Sequence, residues 1–567
     1  MSDVRAIEGR LTAAGGPFEL AQEEVLGAPA AVFRARPPSL RALLAESAAR
    51  GDAEYLVVDD GRRFSYAEHA RRVASLAAAL HARFGVGPGD RVAILAANGP
   101  EWIHAFWAAV SLGAVCVGLN GWWVRDEILY GLGDADPKLL LGDRKRLARI
   151  DGASLRMPVV ELESELEALI ASQPGAALPE TPLAEDDPAT ILYTSGTTGR
   201  PKGAVCTHRA VVALTQLQLF HGIRMFLLAA ARGQLPPPEA QAAPPPCNLV
   251  ATPLFHVSGL YTGAVAGLAT GIKTVWTTGR FDPEKVMRLI ERERVTAWGP
   301  MGTMVHRVVH HPDVGRYDLS TITAIGSGGA PIPPSLLARM REVFPRARAA
   351  LGIGYGLTES GSLATLNWGD ELEARPGSVG RPLPTVEVSI RDLDGQPVAA
   401  GVEGEVWIRS PLVMKEYWRR PQETAQALAP GRWLRTGDVG RLDEDGHLYL
   451  NSRRRDLILR GAENVYPVEI EHCLEAHPDV AEAAVVGVAH EELGQEVKAI
   501  VVPRTGLDEA ACAALPAALA RWCGDRLAYY KVPAHWELRR APLPRNATGK
   551  VLKPVLTDGA TSPFVEE

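Results

Sequence analysis

The sequence predicts an α/β protein. A large N-terminal domain of layered α/β subdomains with a β-rich subdomain is followed by a smaller α+β C-terminal domain. Three observations carry this. At 567 residues the chain exceeds what one hydrophobic core serves. Over its first part, short apolar runs of strand length alternate with helix-length amphipathic segments, the signature of a parallel, layered sheet. Past about residue 456 that alternation gives way to a mixed α+β pattern.

Residues 1–35 have mixed polarity and read as a leader without strong pattern. Ser39–Ala49 and Tyr66–Ala82 place apolar residues at helical spacing. Arg91–Leu95 is a strand-length apolar run closed by Asn98-Gly99-Pro100; Glu101–Leu112 then reads as helix and Ala114–Val117 as strand. Residues 234–246 hold six prolines in thirteen positions, which excludes a helix or a central strand and leaves an exposed loop. Met225–Ala230, just before it, reads as core or lid helix. Asp394-Gly395 and Asp445-Gly446 are hairpin-turn signals, and the β-rich stretch between them, Glu405–Leu450, reads as a small barrel-like subdomain. Val468–His477 and Glu509–Leu527 read as helices, Ala483–Val488 and Val497–Val502 as strands. The domains are expected at 1–452 and 457–567, with 453–456 between them.

Composition excludes several classes. A content of 46% hydrophobic and 22% charged residues is ordinary for a globular protein. A net charge of −7 gives no electrostatic reason to bind nucleic acid. The six cysteines form no CxxC pair, so neither a zinc site nor a disulfide framework is suggested. With no signal-peptide pattern and no uninterrupted apolar run of membrane-spanning length, a cytoplasmic location without an integral membrane segment is expected.

The most informative segment is Tyr193-Thr194-Ser195-Gly196-Thr197-Thr198-Gly199-Arg200-Pro201-Lys202-Gly203, directly after the β-type run Thr190–Leu192. Hydroxyls and backbone N–H groups donate to phosphate oxygens, glycines allow close approach, and a lysine neutralises charge. The lysine follows a proline and no Ser or Thr follows it, so this is not the P-loop pattern. The string resembles the phosphate loop of the adenylate-forming superfamily, which holds acyl-CoA synthetases, adenylation domains of peptide synthetases and firefly luciferase. The resemblance continues in order through Phe64-Ser65-Tyr66-Ala67-Glu68, Tyr355-Gly356-Leu357-Thr358-Glu359, Gly404–Ile408, Thr436-Gly437-Asp438, Arg453–Asp456, Gly461–Glu471 and Pro544–Lys550.

What the resemblance implies is specific. Thr194, Ser195, Gly196, Thr197, Thr198, Gly199 and Lys202 would hold the β- and γ-phosphates of ATP. Tyr355 and Gly356 would lie against adenine, with Gly328, Gly329, Ala330 and Pro331 along its other edge. Thr358 would contact the α-phosphate. Glu359, with Thr194, would hold Mg²⁺, a hard cation suited to a carboxylate plus phosphate oxygens. Asp438 would accept from the ribose hydroxyls, assisted by Arg453. Lys550 would be the catalytic lysine between carboxylate and α-phosphate. Arg455 would sit in a hinge about which the C-terminal domain turns, replacing Lys550 with the segment at Gly461-Ala462-Glu463, which would line the CoA tunnel.

The resemblance implies an AMP-forming acyl-CoA synthetase using ATP, Mg²⁺ and CoA, with a small carboxylic acid as partner, no nucleic acid, and a homodimer left open. Leu254–Gly259 resembles a substrate-channel motif, and His256 would gate the pocket or approach the reacting carbonyl. Trp298, Met301, Gly326, Gly328, Gly352, Gly354 and Leu363 are candidate pocket walls. Several glycines and no obvious charge there favour an apolar acid, medium- or long-chain fatty acid first and aryl acid next. Loading of a carrier protein, a luciferase-like oxygenase and a non-catalytic nucleotide-binding protein are the remaining readings.

Overall fold

The computed structural model describes residues 2–194, 201–234, 245–328, 332, 334–453, 456–460, 463–490, 493–546 and 549–557. Local sequence fixes several helix ends. Ser65 Oγ accepts from Glu68 N at 3.1 Å and starts the helix Tyr66–Phe84, which Gly85 ends in the left-handed conformation. Ser39 Oγ likewise caps Leu40–Ser47. Pro100–Ser111 is apolar all round and buried along nearly its whole length, as a helix between two sheets must be.

Those sheets are the frame of the large unit. One has seven strands in the order 416–417, 202–207, 188–194, 115–118, 91–95, 139–142, 159–161, parallel from 188–194 onward. The other has nine, in the order 381–382, 365–368, 351–355, 324–328, 297–298, 247–250, 273–276, 54–58, 63–65, with a parallel centre. The largest core cluster includes residues of both sheets and of the helices 66–84, 100–111 and 208–231, and holds Trp102, Trp107, Phe106 and Phe220 fully buried. A second core lies on the opposite face of the nine-stranded sheet, around Met287, Trp298, Met340 and Phe344.

The β-rich stretch is a five-stranded antiparallel sheet of 387–391, 404–409, 433–442, 428–429 and 448–453. Among the described residues it is open, not closed into a barrel. Gly395 and Gly446 take positive φ at the expected turns. After it, strands 463–465, 458–460, 494–503, 480–490 and 535–538 form a separate sheet covered by helices Pro467–Glu475 and Glu509–Gly524.

The first 35 residues are more ordered than their polarity suggests. Ser2–Thr12 is a helix that buries Val4, Ile7 and Leu11, one face at helical spacing. Leu20–Val25 and Ala28–Phe33 form a hairpin whose turn residues, Leu26 and Gly27, have φ of 51° and 83°. A leucine in left-handed backbone carries no turn signature, which is why the sequence conceals this hairpin. Arg224, 2% exposed, pairs with Glu8 and lies 3.7 Å from the Trp368 ring centroid, pinning the N-terminal helix to His208–Ala231. The helix His208–Ala231 is long and apolar enough by length and composition to cross a membrane, and half of that stretch is buried inside the protein. The Pro-rich residues 235–244 lie outside the described residues.

Candidate active site

Strand Pro188–Thr194 runs through the middle of the seven-stranded sheet and returns antiparallel as Lys202–Thr207, with Thr194 opposite Lys202. The tip between them, including Ser195, Gly196, Thr197, Thr198 and Gly199, lies outside the described residues, as do Gly329, Ala330, Pro331 and Gly461. At the loop's base Lys202 Nζ lies 4.4 Å from the centroid of the Tyr417 ring. The hydroxyl of that tyrosine donates to Glu359 Oε1 at 2.8 Å. Backbone pairing builds the arrangement: Tyr417 stands opposite Ala204, Trp418 N donates to Gly203 O at 2.8 Å, and Met414 N donates to Glu359 O at 2.8 Å. No sequence motif includes Tyr417. Only this long-range pairing reveals it, and its own segment has no local motif to mark it.

A cavity of about 730 Å³ opens beside this cluster. Thr194, His256, Gly328, Gly356, Thr358, Glu359 and Lys550 all line it, so residues spread over most of the chain meet in one space. Gly356 is required by proximity: a Cβ there would stand 2.1 Å from Ser362 O. Of the expected pocket walls, Met301, Gly326, Gly328, Gly354 and Leu363 border the cavity and Gly352 does not. Trp298 borders it too, but its ring packs edge-on against Phe344 in the core on the other face, because strand residues alternate sides.

Tyr355 and Asp438 form a pair beyond the cavity lining. The Tyr355 hydroxyl donates to Asp438 Oδ2 at 2.7 Å, and Asp438, 6% exposed, is steadied by its own N–H donating to Thr436 Oγ1 at 3.0 Å. Arg453 lies opposite Asp438 in the strand pairing. The Lys202 side chain is not among the cavity walls; it is displaced onto Tyr417.

Burial pushes the His256 imidazole down to about 4, and its ring lies 4.8 Å from that of Phe255. It is therefore neutral near pH 7, suited to shaping the channel or exchanging one hydrogen bond. The following segment contains a π-helical stretch, Leu260–Val265, one of the irregularities that let helix residues reach a site. Gly263 there packs against Val250, whose Cγ1 a Cβ would meet at 2.8 Å.

Lys550 comes from the C-terminal unit on a tight turn. Asn546 N donates to Lys550 O and Lys550 N to Asn546 Oδ1, both at 2.9 Å. Arg545 braces the turn, donating to Gly549 O at 2.8 Å and pairing with Glu482 at 2.5 Å. Gly549 has φ +76°, and a Cβ on it would lie 2.2 Å from Thr303 Oγ1, so only glycine lets the turn seat against the large unit. Among the described residues no cluster of three or more His, Cys, Asp or Glu could hold a metal. The donors at the phosphate end, the Glu359 carboxylate with the hydroxyls of Thr194 and Thr358, are all hard oxygens; a second carboxylate, Glu127, also lines the cavity. They fit Mg²⁺ carried largely by phosphate and do not fit a protein-caged transition metal.

Fold and site thus bring residues of the large unit and of the C-terminal unit to one cavity. The AMP-binding enzyme family matches residues 44–418 and its C-terminal domain matches 469–550. The chain is 34% identical over 501 residues to a feruloyl-CoA synthase of Amycolatopsis sp, covering 87% of this chain and 93% of the relative. It is 34% identical over 506 residues to the long-chain-fatty-acid–CoA ligase FadD13 of Mycobacterium tuberculosis, covering 88% and 93%. The fold matches o-succinylbenzoate-CoA synthetase (MenE) of Bacillus subtilis in complex with its acyl-adenylate intermediate, at TM-score 0.74 and 30% identity over 92% of this chain and 98% of that one. The chain belongs to the AMP-binding enzyme family: it is an ATP-dependent, AMP-forming acid–thiol ligase of the adenylate-forming superfamily, with CoA as co-substrate.

Proposed function

We propose that the acid is a medium- or long-chain fatty acid or one of similarly apolar body, and that Lys550 drives its adenylation. The observation that carries this is the seating of Lys550 in the same cavity as Thr358, Glu359 and a slot walled by Val257, Met301, Gly326 and Leu363. A carboxylate oxygen of the acid attacks the α-phosphorus of ATP, the bond to the bridging oxygen breaks, and pyrophosphate leaves. Lys550 neutralises the charge where carboxylate and α-phosphate converge, and Thr358 donates to the α-phosphate. Lys202 and the hydroxyls of the 194–198 loop hold the leaving phosphates; Asp438 and Tyr355 hold the nucleoside. Glu359, with Thr194, would hold Mg²⁺, which supplies charge neutralisation on the phosphates when bound. The CoA sulfur then attacks the acyl carbonyl and AMP leaves.

The large domain is taken as 1–452 and the mobile one as 457–567. The change of sheet between Arg453 and Ile458 supports a hinge at 453–456. Six free thiols fit a reducing cytoplasmic setting. An aryl acid is the second reading, favoured by the relative that is a feruloyl-CoA synthase.

The deciding experiment measures AMP and acyl-CoA formation with ATP, Mg²⁺ and CoA across fatty and aryl acids. A preference for apolar chains supports the reading, and a preference for aryl acids replaces it with the second. In Lys550→Ala, adenylation falls by orders of magnitude while thioester formation from supplied acyl-adenylate persists; equal loss of both steps refutes the role of Lys550.

A further inference from the structure

The slot's lining changes character along its length. Its floor is one face of the nine-stranded sheet, where Gly328, Gly326 and Ala324 succeed one another on a single strand. From Gly328, beside Gly356 and Thr358, to Ala324 is four residues of strand, about 13 Å. At the nucleotide end Thr194, Thr358, Glu359 and Lys550 supply the polar groups, and the floor leading away from it is small, Gly326 and then Ala324. At the far end Asn248, Ala297 and Ala324 stand side by side in parallel register, so their side chains share one face. Ala297 on one neighbouring strand and the buried Thr274 on the other flank Asn248, whose side chain borders the cavity on the alanine side. Its flanking residues Cys247 and Leu249 turn into the core on the other face. Gln218 reaches the cavity from the helix above, while Leu214, Leu217 and Phe220 of that helix enter the core.

Neither Asn248 nor Gln218 hydrogen-bonds through its side chain to any described residue. Ser258 Oγ, elsewhere in the wall of the same cavity, is buried without a partner among the described residues. Thr262 is already satisfied, donating to Ser258 O. A plain hydrocarbon tail would leave the two carboxamides facing methylene groups, at a cost of about 1–3 kcal/mol for each polar group stripped of water and not re-bonded. The charged or titratable side chains in the described lining are Glu127, Tyr193, His256, Glu359 and Lys550, so the one lysine or arginine among them is Lys550, at the nucleotide end.

We propose that the acid this enzyme activates bears a neutral oxygen substituent, a hydroxyl or carbonyl, on an otherwise apolar skeleton, at the end remote from its carboxylate. Asn248 and Gln218 bind that oxygen. The inference rests on the reading of this cavity as the acid's slot and narrows its substrate class.

The test compares matched pairs: straight-chain acids with their terminal hydroxy analogues, and cinnamate with its ring-hydroxylated analogues. The readout is kcat/KM for AMP formation with CoA present. The best pair favours the oxygenated acid about tenfold or more, since a site built to bond an oxygen discriminates against its absence. That ratio falls about fivefold or more in Asn248→Leu and in Gln218→Leu. Because both acids are measured on one preparation, loss of folded protein cancels from the ratio. Equal turnover within every pair, or a ratio that survives both substitutions, overturns the proposal and leaves the ligase reading standing. Turnover of no acid at all overturns both.

Discussion

Gly549→Ala isolates the seating of Lys550 from every other feature of the site. The backbone at Gly549 has φ +76°, where an alanine is strained by about 1–2 kcal/mol. The added Cβ would also stand 2.2 Å from Thr303 Oγ1 and 3.1 Å from its Cγ2, well inside the 3.4 Å at which ordinary contact begins. The turn must back away from the large unit, taking Lys550 with it. Together the two effects withdraw at least about 2 kcal/mol from the seated arrangement, which lowers adenylation about thirtyfold. Thr303→Ala removes Oγ1 and Cγ2 but leaves Cβ at 3.2 Å. In the double variant the collision largely disappears and the backbone strain persists, leaving a deficit of about fivefold. Pyrophosphate exchange reads adenylation; acyl-CoA formation from supplied acyl-adenylate reads the second step. Activity is lost in the first assay, retained in the second, and partly rescued by Thr303→Ala. Equal loss in both assays, or no rescue, would show that the Gly549–Thr303 contact does not control Lys550.

Two further perturbations probe what the fold built around the site. Tyr417→Phe keeps the ring beneath Lys202 but removes the hydroxyl that orients Glu359. Half-saturation by Mg²⁺ in pyrophosphate exchange should rise several-fold, whereas Tyr417→Leu should also raise the KM for ATP; an unchanged Mg²⁺ dependence in Tyr417→Phe refutes the positioning role. His69 is buried and stacked on His104, with ring centroids 5.1 Å apart, and burial lowers its pKa from 6.5 to about 3. In that window the unfolded chain binds the proton and the folded chain does not, so stability falls as pH drops. One such histidine contributes about 1.4 kcal/mol per pH unit. Urea midpoints measured at several pH values should therefore decline from pH 6.5 downward, less steeply in His69→Phe; identical slopes would remove His69 from the account.

The sequence by itself determined the elements whose signals are local. Ser39 and Ser65 carry oxygens that cap the next turn, and the helices that follow lie where their periodicity put them. Asp394-Gly395 and Asp445-Gly446 supply the positive φ their turns need. The motifs named the enzyme class and some of the residues that meet in the cavity, among them Thr194, His256, Gly356, Thr358, Glu359 and Lys550, because glycines and hydroxyls that act together occur there as short contiguous strings. The hairpin at Leu26-Gly27 escaped, since a leucine in left-handed backbone is held by its strands and not by its own preference. Tertiary structure alone decided the rest. It aimed the Trp298 ring away from the pocket, kept Gly352 out of it, and brought Tyr417 to Glu359, 58 residues away, and to Lys202, some two hundred residues away. It also set Asn248 beside Ala297 on the cavity floor. Each of these depends on which strands become neighbours and in what register. Pairing is settled by burial over the whole core, so no short stretch of sequence encodes it.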